Sequence, residues 1–436
     1  MLYPVILSGG IGKRLWPLSS QNNPKQFQKL LNNKTLIQNT YDRISKGFAK
    51  ENIFVVTGVS MMDDIKAQIN IENRQIFGEP AVKGTAMAIG YAALKLKDID
   101  EEASIVTINS DHFIKEEDKY LEIIKQAGQI IEEKPDQMLL IGIKPKYPET
   151  GFGYIELGDK IKENTYKVAS FKEKPDLTLA KEYVESGNYL WNAAFFVFKA
   201  KELLKWYKEY LPAHYQALLN IEKDESLIEA EYNKVDKISI DVGLLEKMPN
   251  KLVIPAELTW ADIGHWRSLR DVLSDGQGSN VSNTKNISID SKNNLLYSSN
   301  DKKLIATVGV EDMILVETDE AILLCPADRA QDIKLLLKEI KKEKYSNTTD
   351  NRYFEFNATY NDIAIFLPTL LKVYGKKYYS LLNYIELENK IDKIINDVNK
   401  IQKDPITIYN KVLIEKMIYP LIITAKKQVI NNHRKK

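Results

Sequence analysis

The sequence predicts an α/β chain in three parts. These are a Rossmann-like, mostly parallel sheet flanked by helices over residues 1–275, a small β-rich region with a closing helix over 276–345, and a helical segment over 352–436. Three observations lead there. Short apolar runs alternate with stretches of helical period, residues able to carry chemistry cluster just after those runs, and the composition turns to Ser, Asn and Asp near Gly276 before alternating strands resume.

Element by element, residues 2–7 read as a buried strand, 35–44 as a helix, 53–57 as a strand and 61–69 as a helix. A strand at 75–77 precedes a small-residue helix from about 85 to 96. The strand at 104–108 precedes a helix from about 119 to 131, and a strand at 138–143 closes the series. Such alternation favours parallel strands with helices on both faces, and ligands then gather beyond the carboxyl ends of the strands. Alternating strands run from Ile287 to Cys325, and Asp328-Arg329-Ala330-Gln331-Asp332 caps a helix to Lys344. In the last segment Ala364, Leu367, Leu370, Leu371 and Tyr374 fall at helical spacing, as do Ile385, Ile391, Ile394, Ile395 and Val398.

The first strand delivers Leu7 and Ser8 into Gly9-Gly10-Ile11-Gly12-Lys13-Arg14-Leu15-Trp16-Pro17, and Pro24-Lys25-Gln26-Phe27 follows. Glycines let backbone N–H groups approach phosphate oxygens, and Arg14 and Lys25 bring positive charge to the same turn. A Walker loop ending at Gly12-Lys13 would need glycine at Leu7 and a Ser or Thr at Arg14. A dinucleotide fingerprint starting at Gly10 would put its third glycine at Leu15. Both fail. A second strand runs into Asn109-Ser110-Asp111-His112, which makes Asp111 a candidate ligand for magnesium, a hard cation that prefers carboxylates and substrate phosphates. His112 is assigned no catalytic role. Further on, Gly153 lets backbone approach a hydroxylated ring, Glu173 and Asn192 can bond its hydroxyls, and Lys174 can neutralise its phosphate.

Composition bounds the function. A formal net charge of +1 over 436 residues calls for neither nucleic acid nor an anionic membrane. The single cysteine, Cys325, excludes an intrachain disulfide and sits in an apolar stretch as a core residue. The N-terminal apolar run lacks a basic flank and no run is long enough to span a bilayer, so the expected compartment is the cytoplasm.

The collinear motifs Gly9-Gly10-Ile11-Gly12-Lys13-Arg14-Leu15-Trp16-Pro17-Leu18-Ser19, Pro24-Lys25-Gln26-Phe27, Ser110-Asp111-His112, Thr150-Gly151-Phe152-Gly153-Tyr154-Ile155, Glu173-Lys174-Pro175, Trp191-Asn192, Ile238-Ser239-Ile240-Asp241 and Trp260-Ala261-Asp262-Ile263-Gly264 resemble those of mannose-1-phosphate guanylyltransferases. The resemblance covers about the first three quarters of the chain. It implies that the 276–345 region is β-helix-like, that Leu7, Gly9, Gly10, Gly12 and Ser110 wrap a nucleotide, and that Arg14 and Lys25 hold its phosphates. It further implies that Glu79, Pro80 and Thr85 line base and ribose, that Asp111 and Asp262 bind Mg2+, and that Gly153, Tyr154, Glu173, Lys174 and Asn192 receive the sugar phosphate. The implied catalytic residues are Arg14, Lys25 and Asp111. The implied reaction joins GTP and mannose 1-phosphate into GDP-mannose and pyrophosphate, and the implied assembly is a homodimer. The chain departs from the family at Val82-Lys83-Gly84-Thr85-Ala86-Met87-Ala88, which keeps Thr85 but lacks an Asp and a Pro. The last segment has one histidine, His433, too few for the metal-dependent isomerase domain of bifunctional relatives. Two alternatives stay open: a related transferase with another base or sugar, and a non-catalytic nucleotide-sugar sensor.

Overall fold

The computed structural model describes residues 1–342, apart from positions 11, 21, 22 and 277, and the helical segment expected over 352–436 lies outside the described residues. Eleven strands build the first part: β1 (Leu2–Ser8), β2 (Phe54–Gly58), β3 (Ile76–Glu79), β4 (Ser104–Asn109), β5 (His112–Ile114), β6 (Met138–Ile143), β7 (Gly153–Lys162), β8 (Thr165–Lys172), β9 (Tyr189–Lys199), β10 (Lys251–Ala256) and β11 (Trp260–Asp262). Nine of them form one sheet in the order β3-β2-β1-β4-β9-β6-β10-β8-β7. Helices α1 (Leu36–Ser45), α2 (Met62–Gln68), α3 (Thr85–Ile99), α4 (Glu117–Glu133), α5 (Leu177–Ser186), α6 (Ala200–Tyr210), α7 (Pro212–Lys223) and α8 (Ile228–Lys234) cover its two faces.

Strand periodicity assigns the faces. Tyr3, Val5, Phe54 and Val56 point into one core with α3, α6, α7 and α8, whereas Ile6 and Val55 point into the other with α1, α2, α4 and α5. Each buried Ile, Leu or Val on these faces contributes about 1.5–3 kcal/mol. Helix α1 starts where Thr35 accepts from the Gln38 N–H and donates its own N–H to Gln38 Oε1, a reciprocal cap contributing about 1 kcal/mol.

The sheet is mixed rather than mostly parallel. Strands β3, β2, β1 and β4 are mutually parallel, as expected, but β9 lies antiparallel between β4 and β6. No helix separates β6 from β7 or β7 from β8. β7 and β8 instead form a hairpin whose turn carries Asn164 at φ 55, and a hairpin reverses the chain without a crossover.

Beyond α9 (Trp266–Leu273) come β12 (Val281–Ser282), β13 (Lys285–Ile289), β14 (Leu295–Ser298), β15 (Leu304–Val308), β16 (Met313–Glu317) and β17 (Ile322–Pro326). The ladders β12-β14-β16 and β13-β15 are parallel, so successive coils stack in a β-helix-like way. Buried Asn294 ties the coils together, donating to Asn280 Oδ1 at 2.9 Å and Val310 O at 2.8 Å while accepting from the Met313 N–H at 2.8 Å. A third core joins this region to the N-terminal loop: Leu15, Leu36, Trp266 and Leu269 pack with Val281, Leu295, Ile314 and Ile333. The chain then enters α10 (Ile333–Lys342). No helix among the described residues is long and apolar enough to cross a membrane.

Candidate active site

Strand order brings the two early motifs to one edge. β1 and β4 are neighbours with Leu7 opposite Asn109, so the glycine loop and Ser110-Asp111 leave the sheet side by side at its carboxyl end. Gly12 takes φ 76 and ψ 41, and a Cβ there would lie 2.5 Å from Lys25 Cβ, so any side chain would both strain the backbone and expel Lys25. Ser19 Oγ donates to Gly12 O at 2.5 Å and holds the loop. In the turn Lys13–Leu15, buried Leu15 anchors in the third core, beside Arg14.

Asp262 reaches Asp111 from about 150 residues further along, through a two-stranded ladder. β11 pairs antiparallel with β5 so that Asp262 stands opposite His112, and the Ile263 N–H donates to Asp111 O at 3.1 Å. The ligand atoms of Asp111, His112 and Asp262 lie within 4.8 Å of one another. Lys25 Nζ forms an ion pair with Asp111 Oδ2. Burial opposes the charge on Lys25, yet Asp111 and Asp262 outweigh it and raise its pKa. Burial likewise opposes ionisation of Asp111, but Lys25 and its hydrogen bond hold that carboxyl low. Asp262 is pushed up by burial and by the neighbouring Asp111 charge.

The donor chemistry fits a hard divalent cation. Two carboxylates converge, and the partly buried Asp262 has an enclosed Oδ1 without a hydrogen-bond partner among the described residues. His112 is differently engaged. Its Nδ1 accepts from the Trp260 indole N–H at 3.2 Å, its ring packs edge-on against Phe195 and Trp260, and burial pushes its pKa down to about 4. It is a neutral framework residue.

A second cluster lies along β7, β8 and β9. A Cβ on Gly153 would fall 2.6 Å from Glu173 Oε2 and 3.4 Å from Asn192 Cβ, so the missing side chain is what lets these groups meet. Lys174 adopts φ 47, uncommon for a residue with a Cβ, and its Nζ contacts Glu173 Oε1. Asn192 Nδ2 donates to Asp241 Oδ1 at 2.7 Å, while Asn192 Oδ1 accepts from the Ala194 N–H at 3.0 Å. Burial, reinforced by Glu173, pushes Asp241 up to about 6. Asn109 Nδ2 donates to Ala193 O at 3.4 Å, linking this cluster to the Asp111 turn.

The structure therefore brings together Gly12, Lys25, Asp111 and Asp262, and separately Gly153, Glu173, Lys174 and Asn192. Gly9 and Gly10 flank the loop with open space where a Cβ would stand, apart from Lys25 Cε 3.8 Å from that of Gly10. Leu7, next to last in β1, lies beside Ser110, whose N–H donates to Leu7 O at 3.2 Å and whose carbonyl accepts from Thr40 Oγ1. Three of the expected site side chains are engaged within the protein. Tyr154 is fully buried in the core that holds α1, α2, α4 and α5, and its phenol bonds the Glu149 backbone, so it offers no hydroxyl to a sugar phosphate; strand alternation places it opposite to Gly153. Glu79 turns its carboxyl inward toward Tyr232. Thr85 Oγ1 accepts from the Ile240 N–H at 2.9 Å and so fixes the start of α3. Asp241 is the residue whose place beside Asn192 the motif reading left without a role; its only signal was a carboxylate ending Ile238-Ser239-Ile240-Asp241.

The chain is similar to known proteins in sequence and in fold. Residues 3–278 match the family described as Nucleotidyl transferase, and residues 284–340 match the MannoseP isomerase/GMP-like beta-helix domain. The mannose-1-phosphate guanylyltransferase of Salmonella muenchen is 34% identical over 352 residues, covering 78% of this chain and 73% of that protein. The xanthan biosynthesis protein XanB of Xanthomonas campestris pv. campestris is 35% identical over 360 residues, covering 80% and 75% respectively. A crystal structure from Thermus thermophilus, described as mannose-1-phosphate geranyltransferase, superposes with a TM-score of 0.72 at 27% identity, covering 78% of this chain and 99% of that one. With the glycine loop, the acidic pair and the β-helix-like region in place, the chain belongs to the mannose-1-phosphate guanylyltransferase family and is a sugar-phosphate nucleotidyltransferase.

Proposed function

We propose that this enzyme joins GTP and mannose 1-phosphate into GDP-mannose and pyrophosphate. The observation that carries the reading is the convergence of Lys25, Asp111 and Asp262 at the glycine loop, beside the Gly153-Glu173-Asn192 cluster. Relatives at 32–34% identity bear the guanylyltransferase name, which supports guanine and mannose over other bases and sugars.

A phosphate oxygen of the sugar phosphate attacks the α-phosphorus of GTP, and pyrophosphate leaves in line. That oxygen is already anionic, so no general base is needed. The chain works by alignment and by charge. Lys25 and Arg14 hold the triphosphate against the loop N–H groups, while Glu173, Asn192 and Lys174 fix the incoming hexose phosphate. Asp111 and Asp262 would hold Mg2+, which when bound would supply positive charge that offsets the charge of the reacting phosphates. The product suits reactions that build mannose-containing polysaccharide, in keeping with the xanthan and alginate names among relatives.

Pyrophosphate release across a panel of nucleoside triphosphates and sugar 1-phosphates tests the reading. The expected preference is GTP with mannose 1-phosphate. A higher kcat/KM for another pair reassigns the substrates, and binding without turnover of any pair identifies a sensor.

A further inference from the structure

Arg14 donates from Nη1 to Gln331 Oε1 at 2.7 Å, a neutral amide more than 300 residues away. Gln331 lies in the short turn Ala327–Asp332 that follows β17, on the β-helix-like region rather than on the sheet. Its Nε2 faces the turn before β7, 3.8 Å from where a Cβ on Gly151 would stand. Lys334, one helical turn further on, senses both Arg14 and Lys174: burial first, then those two cations, lowers its pKa. The closing turn thus sits between the glycine loop and the cluster around Glu173.

We infer that Gln331 is a positioning residue for the transfer reaction: its amide oxygen aims the Arg14 guanidinium at the triphosphate without neutralising it. A carboxylate in that place would pair with Arg14 and compete with the phosphates. The Arg14 Nη2 end already lies near the Asp262 carboxylate, beside Gly264; a neutral acceptor orients the planar donor fork and adds no further opposing charge. Buried Ala327, Ala330 and Ile333 in the third core hold the turn, so the β-helix-like region sets the geometry of a loop on the other domain.

The inference rests on the proposed reaction for its kinetic readout and carries a second readout that does not. Gln331→Met keeps the length and removes the acceptor. It is expected to lower kcat/KM for GTP about tenfold, the size of one charge-assisted hydrogen bond. In an Arg14→Lys background the same change is expected to cost less than about twofold, because the partner is already gone. Losses that multiply, or a Gln331→Met enzyme within about twofold of the parent, would overturn the inference; Gln331→Ala gives the same comparison if the Met variant does not fold. Binding of inorganic triphosphate is measured in parallel and is expected to weaken about tenfold in Gln331→Met. If the parent makes no GDP-mannose but triphosphate binding still depends on Gln331, the substrate reading fails and this inference stands. If the parent turns over and binding ignores Gln331, the reverse holds. A parent that binds no triphosphate overturns both.

Discussion

Asp111 and Lys25 set each other's charge: the ion pair keeps one carboxylate ionised and one ammonium protonated where burial alone would oppose both. Asp111→Asn removes that balance, and pyrophosphate release per folded enzyme is expected to fall at least about 100-fold, with some loss of melting temperature from the unpaired Lys25. Full turnover would remove Asp111 from the site. Glu79 shows the opposite case. Burial pushes its carboxyl up to about 8 from 4.5, so folding at neutral pH requires it to take up a proton. Its contribution to stability is therefore complete below pH 4.5 and lost as pH rises toward 8. Glu79→Gln is expected to match the parent in urea unfolding near pH ~4 and exceed it by a few kcal/mol near pH ~8; a pH-independent difference would contradict this. Arg14, Lys25 and Asp111 are legible in the sequence because each stands at a fixed offset from a strand end. Gln331 is not, since its value depends on which loop its turn packs against, and Tyr154 is misassigned when motif membership is set above strand alternation.

Elements are legible wherever local periodicity decides them. The helix at 85–96 emerges as α3, extended to Ile99, and the strand at 138–143 as β6, because both bury a regular pattern. The direction of β9 is not legible. An apolar run fits either orientation, and only its neighbours β4 and β6 select the antiparallel one. The pairing of β5 with β11 is likewise set by contact, and it delivers Asp262 to Asp111. The glycine loop is the element most exposed to a single change. Gly12→Ala forces a Cβ into a left-handed position and against Lys25, with an expected stability cost of about 1–2 kcal/mol. Activity is expected to fall more than about tenfold, beyond what that cost explains, because Lys25 must move. Equal activity in a folded variant would show that Lys25 placement is immaterial.

At the scale of the molecule, the composition shift near Gly276 marks a change of sheet and not a break in packing. Leu15 and Trp266 share a core with Val281, Leu295 and Ile314 across that point, a continuity invisible in sequence because Leu15 lies hundreds of residues from the others. Trp266 is fully buried and its indole N–H donates to Trp16 O at 2.9 Å, tying α9 to the glycine loop. Trp266→Ala is expected to cost about 3–5 kcal/mol in urea unfolding and to slow pyrophosphate release in the fraction that stays folded. A loss below about 1 kcal/mol would show that the β-helix-like region does not support the loop.

The most direct measurement is a coupled count of GDP-mannose and pyrophosphate from GTP and mannose 1-phosphate, with magnesium and with chelator, for the parent and for Asp262→Asn. The expected result is one product for each pyrophosphate in the parent, abolished by chelator and reduced at least about 100-fold by the substitution. Undiminished turnover in chelator or in Asp262→Asn would contradict the proposal that this acidic pair, about 150 residues apart in sequence, holds a metal ion for the reaction.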